Sequence, residues 1–303
     1  MHLCRCGGRV GNTTTNELPA KTFLKSPAKI NLGLRVGPLS GDGFHPLQSL
    51  FVRVSLHDEI RVETTDRFAL TCNDPSIPTD GRNLLTRAYH AYFKNLSNPP
   101  TFKIHLEKNI PWGGGVGGGS SNAAEFLKFL HRQKLCGSPS FEELLLIAKN
   151  LGSDIPFFMH STPCYAEGRG EILTTVDPIP ALPIILAGTG TPLATTKVFK
   201  IYDSTSPSEL TPFPMDQAYQ ILTQRNGLGL EKIIQNDLQT VVEKEWPEMK
   251  RVRSLLENSG ANYTSMSGSG FIYYSIYPSV QIRDYALQTL RNELPFIKGA
   301  HIL

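Results

Sequence analysis

The densest chemical signal in the chain is Pro111-Trp112-Gly113-Gly114-Gly115-Val116-Gly117-Gly118-Gly119-Ser120-Ser121-Asn122, which places six glycines in seven positions. Such a run costs conformational entropy, tolerates positive φ and lets another group approach the backbone closely. It follows an alternating, strand-like segment and leads into a helical pattern, so the free N–H groups and partial positive charge of a helix start come directly after it. Strand, glycine loop and helix start together suit a phosphate chain. No Gly-Lys-Ser/Thr closes the run, so it is not a Walker A loop. No early βαβ unit or downstream ribose carboxylate supports a dinucleotide fingerprint. A plain glycine linker is the competing reading, but linkers seldom join an alternating strand to a capped amphipathic helix. Ser120 and Ser121 have three open roles: capping the helix, contacting phosphate, or lending a hydroxyl to Mg²⁺.

Two other stretches carry groups that would complete such a site. Ser26-Pro27-Ala28-Lys29-Ile30-Asn31-Leu32 puts Lys29 and Asn31 in the same side-chain phase of a strand, with Ile30 opposite. Gly152-Ser153-Asp154-Ile155-Pro156-Phe157-Phe158 sets one carboxylate after a helix and before a proline and an aromatic pair. A carboxylate in that setting can orient and deprotonate a hydroxyl, and an ammonium beside it would hold it ionised while stabilising the attacking oxygen. That chemistry is what a kinase for a small alcohol needs. Taken singly, Lys29 also reads as a solvated cation and Asp154 as a helix-to-loop hydrogen bonder. Ser267-Gly268-Ser269-Gly270 is a plain turn, or a second loop small enough to close over bound phosphates.

These residues need elements to hold them. Strand patterning begins near Phe23 and returns in Leu50 to Leu56, where His57 and Asp58 are expected to end the run. In Thr101 to Glu107, Phe102, Ile104 and Leu106 alternate with Lys103, His105 and Glu107, the period of a strand with one buried face. Helical spacing covers Asn83 to Phe93 after the Asp80-Gly81 turn, and Ala123 to Leu135, which Gly137 and Pro139 stop. Ser140 and Glu143 have capping-box spacing for a third helix, closing near Leu151-Gly152. Asp177 to Pro183 carries Pro178, Pro180 and Pro183 and marks a soft domain boundary before the apolar strand Pro183 to Ala187. A Pro-rich connection, Pro207 to Pro214, then leads to helical patterns at Gln217 to Arg225, Asn236 to Trp246 and Gln281 to Asn292, with the strand Phe271 to Ile276 before the last. The composition is α+β, without an internal repeat or regular βαβ alternation.

The 303 residues are enough for one large domain or two ordinary ones, and 40% hydrophobic content supports a packed core. Thirty basic against twenty-seven acidic residues leave a net charge of +3, which demands no nucleic acid partner. No apolar run has the length of a membrane span. Cys4 and Cys6 form a lone C-x-C, and Cys72, Cys136 and Cys164 are too scattered for a zinc or redox motif, so a reducing cytoplasm fits best. Residues 1–24, with Arg5, Arg9 and the Thr13 to Thr15 run, read as a disordered tail, with a targeting leader as the rival. The remaining chain divides into 25–180, which carries the ATP and substrate groups, and 181–303.

Together the three blocks resemble the small-molecule kinase superfamily that includes galactokinase, homoserine kinase, mevalonate kinase and phosphomevalonate kinase, from about Leu24 to the C-terminus. With Gly43-Phe44-His45 added, they most resemble its branch acting on a cytidyl-diphosphate alcohol in the non-mevalonate isoprenoid pathway. The resemblance implies an α+β fold of two domains facing across an active-site cleft, and transfer of the γ-phosphoryl group of ATP to the C2 hydroxyl of a methylerythritol unit. It implies Asp154 as base, Lys29 as its electrostatic partner and Asn31 as an aid to substrate order. Pro111, Gly113 to Gly119 (Gly113, Gly114, Gly115, Gly117, Gly118 and Gly119), Ser120 and Ser121 would wrap the triphosphate. Ser267, Gly268, Ser269 and Gly270 would support that pocket, and magnesium would accompany ATP. His45 offers a ring and two nitrogens to a cytosine, and Phe199 matches the aromatic that closes its other side. Where the family usually reads Gly-Tyr-His, Phe44 keeps a stacking face but loses a hydroxyl. Trp112 and Val116 also depart from the usual residues. The runner-up is another small-alcohol kinase of the superfamily, which Gly43-Phe44-His45 argues against. The non-enzyme alternative, a degenerate nucleotide-binding regulator, is disfavoured by Lys29 and Asp154 occurring together.

Overall fold

The computed structural model describes residues 19–134, 137–205, 207 and 209–303. Residues 1–18, with Cys4 and Cys6, lie outside them, as does Cys136, and so does most of the tail expected over 1–24. Strand β1 (Lys21–Val36) starts earlier than expected, taking residues 21–24 out of that tail. The chain folds as two compact units of interleaved segments: one holds the described residues up to Ser26, Asp58–Lys108 and Gly119–Met159, the other Pro27–His57, Asn109–Gly118 and His160–Leu303. This differs from a division at residue 180, because β1 and β2 (Leu47–Thr65) each contribute to both units.

In the first unit, residues 59–65 of β2 pair antiparallel with β4 (Thr101–Glu107), and the short β3 (Ala69–Cys72) lies parallel to β4 on its other side. The alternation in β4 is realised, with Phe102, Ile104 and Leu106 all buried. Over them pack α1 (Leu84–Tyr92), capped by Asn83, and α2 (Gly118–Arg132), whose Phe126 and Phe129 meet the Phe102 ring edge-on at 6.1 and 6.0 Å. The capping box of α3 (Phe141–Leu151) is formed as the spacing predicts, with Ser140 and Glu143 exchanging side-chain and backbone bonds. Contrary to expectation, β2 does not end at His57-Asp58. Asp58 is wholly buried and its carboxylate accepts from Lys108 Nζ at 2.7 Å, so the charge is met inside the fold and the strand continues.

In the second unit, β7 (Pro183–Gly188) is buried along its whole length and lies inside an antiparallel sheet ordered β10-β7-β9-β8, where β8 is Tyr263–Met266, β9 Ile272–Ile276 and β10 Phe296–His301. The first half of β2 pairs with β5 (Cys164–Glu167), which turns back into β6 (Ile172–Thr175). Helices α8 (Pro247–Glu257) and α9 (Val280–Leu290) pack on the four-stranded sheet. One continuous core joins Ile30, Leu32 and Leu34 of β1 to Ile184–Ala187 of β7 and to Ile272, Tyr273, Tyr274 and Ile276 of β9. Helices α5 (Thr195–Asp203) and α6 (Met215–Arg225) follow β7 in sequence.

Two other expectations change. The helix read from Asn236 is the shorter α7 (Gln239–Glu245); Asn236 stays outside it because its amide is committed to the carbonyls of Met266 and Gly268, at 2.9 and 2.8 Å. Helix α2 starts at Gly118 rather than Ala123, so the last two glycines of the run form its first turn, where backbone N–H groups have no partner within the helix.

Candidate active site

The second unit carries the glycine loop up to its entry into α2. Gly113, Gly115 and Gly117 have φ of +74°, +76° and +72°, a left-handed conformation at every other residue of the kind found in anion-binding nests. The Ser267–Gly270 turn packs against it backbone to backbone. A Cβ on Gly270 would lie 2.2 Å from the Gly114 carbonyl carbon and 2.4 Å from Gly115 N, and one on Gly115 would lie 2.6 Å from Ser267 O. Ser267 Oγ donates to Gly115 O at 3.4 Å and accepts from Asn31 N at 3.3 Å. The two carbonyls held by Asn236 flank Ser267, so that buried amide braces the turn from behind. Ser269 Oγ lies 3.0 Å from Thr195 Oγ1 at the start of α5. Pro111 and the exposed Trp112 lead into the loop.

Strand β1 delivers Lys29 and Asn31 beside these loops. Lys29 N donates to Val116 O at 2.9 Å, tying the strand to the glycine run. Lys29 is only 4% exposed; its Nζ donates to Asn31 Oδ1 at 2.9 Å and sits 3.9 Å from the centre of the Phe51 ring. Asn31 Nδ2 donates to Ser49 Oγ (3.1 Å), whose hydroxyl donates to Gly33 O (2.6 Å). The Asn31 amide oxygen and the Phe51 ring face together direct the Lys29 ammonium.

Asp154 belongs to the first unit, half-buried between α3 and the short α4 (Ile155–Met159). Its mount is rigid. Gly152 N closes α3 on Ala148 O, Ile155 N donates back to Gly152 O, and Ile155, Phe157 and Phe158 are fully buried. Lys128 Nζ holds the Phe158 carbonyl at 3.0 Å. In the same unit Ser121 is fully buried, with its Oγ 2.9 Å from Ser26 Oγ, while Ser26 donates to Asn122 Oδ1 at 2.7 Å. The buried Ser121 thus packs the start of α2, and the half-buried Ser120 is the hydroxyl nearer the surface.

The other expected substrate group, again in the second unit, comes together differently from its sequence reading. His45 and Phe199 meet, with ring centroids 4.9 Å apart and tilted by 31°. Both His45 nitrogens are engaged: Nδ1 lies 2.9 Å from Gly37 O and Nε2 3.3 Å from Asp203 Oδ1. Tyr202 places its ring edge against His45, and its hydroxyl donates to Val36 O at 2.6 Å; burial pushes that phenol up to about 12, keeping it a donor. A base between His45 and Phe199 needs ring centres about 7 Å apart, twice the contact distance, so the rings stack on each other rather than enclosing an open slot. Phe44 is the exposed aromatic here, at 49%. Sequence reading missed Ser49, Asn236, Asp203 and Ser26, because their partners are distant in sequence and no local pattern announces them.

Among the described residues no group of three or more His, Cys, Asp or Glu side chains gathers as a metal site, and no helix is long and apolar enough to cross a membrane. An alternating glycine loop braced by a Ser-Gly turn, in an α+β chain, defines an ATP-dependent phosphotransferase of the GHMP kinase class, and residues 83–162 match the family described as GHMP kinases N terminal domain. The fold alone is shared with L. major mevalonate kinase in complex with R-mevalonate, at a TM-score of 0.68 and 16% identity over 93% of this chain and 97% of that one. A solved 4-(cytidine 5'-diphospho)-2C-methyl-D-erythritol kinase superposes at a TM-score of 0.77 with 29% identity, over 93% of this chain and 99% of its own. The 4-diphosphocytidyl-2-C-methyl-D-erythritol kinase of Desulfotalea psychrophila is 34% identical over 270 residues, 86% of this chain and 87% of the relative. A relative in Arabidopsis thaliana, named as the chloroplastic enzyme, is 35% identical over 271 residues, 86% of this chain and 69% of the relative. The chain belongs to the 4-diphosphocytidyl-2-C-methyl-D-erythritol kinase family.

Proposed function

We propose that the chain transfers the γ-phosphoryl group of ATP to the C2 hydroxyl of 4-diphosphocytidyl-2-C-methyl-D-erythritol, giving the 2-phosphate and ADP in the non-mevalonate route to isopentenyl diphosphate. The observation that carries this reading is the nearly buried Lys29 ammonium, held by Asn31 in the network that braces the glycine loop. Asp154 takes the proton of the substrate hydroxyl as its oxygen attacks phosphorus. Lys29 stabilises the charge developing on that oxygen, and Asn31 fixes the ammonium's direction. The mechanism requires these two groups to meet at one alcohol oxygen. The backbone amides of Gly113 to Gly119 bind the phosphate chain, with Ser120 as the available hydroxyl and Ser267 to Gly270 supporting the loop. Magnesium bound with ATP would supply neutralising charge at the phosphates, and the Ser120 hydroxyl is the loop group that could offer it an oxygen.

Phe44 offers the exposed aromatic face on which the cytosine is recognised, His45 and Phe199 being stacked on each other, and that base separates this substrate from mevalonate or homoserine. A reducing, cytoplasm-like compartment suits Cys72 and Cys164, both free thiols. A coupled ADP-release assay with ATP and each candidate alcohol tests the assignment. Turnover with the cytidyl alcohol well above that with mevalonate or homoserine is expected; the reverse order would overturn it.

A further inference from the structure

Phe44 stands beside His45, and an aromatic ring without a hydroxyl has only its faces and edge by which to be held. One face is taken. The Arg169 guanidinium lies 3.5 Å from the Phe44 ring centre. Arg169 Nη2 donates to Asp42 Oδ2 at 2.8 Å, and the other oxygen of Asp42 accepts from Phe44 N at 3.1 Å. One carboxylate thus ties the cation to the backbone of the residue whose ring that cation covers. Arg169 holds the Asp42 carboxyl below its ordinary value of 3.8, in keeping with a paired ion.

Both ends of this clamp are anchored. Arg169 sits in the turn between β5 and β6, where Gly168 and Gly170 take φ of +68° and +99°, and its own N–H donates to Glu171 Oε2 at 2.6 Å. Leu47 N donates to Gly168 O at 2.8 Å, joining that turn to the foot of the loop that carries Phe44. The loop closes on itself through Gly37 N to Pro46 O and Ser40 N to Phe44 O, both 2.8 Å. The ring is exposed and yet fixed, which is what a stacking platform requires. A planar cation on one face leaves the opposite face for a planar ligand. His45 cannot serve in its place, since its side chain is 7% exposed and both nitrogens are engaged.

We propose that Arg169 is a positioning residue for substrate recognition: it holds the Phe44 ring as the platform on which the pyrimidine of the cytidyl substrate stacks. The proposal rests on the substrate reading given above. It assigns Arg169 no contact with the reacting atoms.

Steady-state kinetics of the full chain with ATP and the cytidyl alcohol test it, using Arg169→Ala, Arg169→Lys, Phe44→Leu and the double variant Arg169→Ala/Phe44→Leu, with melting temperatures alongside. Arg169→Ala should raise KM for the cytidyl alcohol about threefold to tenfold. Its kcat, its KM for ATP and its melting temperature should stay close to those of the unaltered enzyme. Arg169→Lys keeps the charge but not the planar face, and should recover less than half of the loss. In the Phe44→Leu background, removal of Arg169 should cost less than about twofold, because the two side chains act as one unit. An unchanged KM in Arg169→Ala would overturn the proposal. So would effects that multiply independently in the double variant, or full recovery with lysine, either of which would mark a charge acting on the substrate without Phe44. Turnover of a different alcohol in place of the cytidyl one by the unaltered enzyme would instead remove the substrate reading, and this proposal with it.

Discussion

Gly270→Ala probes the backbone contact that the proposed ATP site depends on. The added Cβ would fall 2.2 Å from the carbonyl carbon of Gly114, 2.3 Å from its oxygen and 2.4 Å from Gly115 N. All three are backbone atoms, so no side chain can turn aside, and either the Ser-Gly turn or the glycine loop must shift. The loop is tied on its other side to Lys29 through Val116 O, and the turn is tied to Asn236, so strain from the methyl group stays local. Overpacking of this kind costs about 2 kcal/mol, equivalent to roughly a thirtyfold loss of ATP affinity if it falls wholly on the bound geometry of the loop. ATP dissociation constants from calorimetry give the readout, with Gly81→Ala as the control, since a Cβ there meets nothing within 4 Å. ATP affinity in Gly270→Ala equal to that of the control would refute the idea that this backbone packing shapes the phosphate site.

Asp154→Asn should lower kcat by about a hundredfold to ten-thousandfold with ATP affinity nearly unchanged, as rapid-quench kinetics and calorimetry would show; near-normal turnover would remove Asp154 as the base. Lys108→Met takes the ammonium from the fully buried Asp58 carboxylate and should destabilise the fold by about 3 kcal/mol in urea denaturation; a loss below 1 kcal/mol would mean that other contacts carry Asp58. Arg169 depresses the Asp42 carboxyl, so their link holds at neutral pH and weakens only as pH falls below that group's ordinary range. Arg169→Ala should raise the Asp42 titration seen by carbon NMR, and an unmoved titration would deny the pairing. Burial pushes the Cys164 thiol up to about 11, so iodoacetamide at pH 8 should leave it unmodified in the folded enzyme; labelling at the rate of an exposed thiol would contradict the packing around it.

What the sequence discloses and what it hides follow a physical line. Elements carried by local periodicity or capping were readable: the alternation of Phe102, Ile104 and Leu106, the Ser140–Glu143 box, the apolar run of β7. The glycine run and the Lys29–Asn31 phase were readable because backbone freedom and strand period are local properties. Features completed by a distant partner were not. Asp58 reads as a strand end until Lys108 is seen to neutralise it, and Asn236 reads as helical until the carbonyls of Met266 and Gly268 claim its amide. Arg169 is one turn residue among many without Phe44 and Asp42 beside it. Likewise β8, β10 and α5 are short, and sheet pairing and core contacts hold them where spacing gives little sign.

Phosphorus NMR of the enzyme with ATP and 4-diphosphocytidyl-2-C-methyl-D-erythritol tests the assigned reaction most directly. A new monoester resonance on the methylerythritol unit, growing one for one with ADP, is the predicted result. ADP accompanied only by inorganic phosphate, or transfer to mevalonate or homoserine with the cytidyl alcohol left intact, would contradict it.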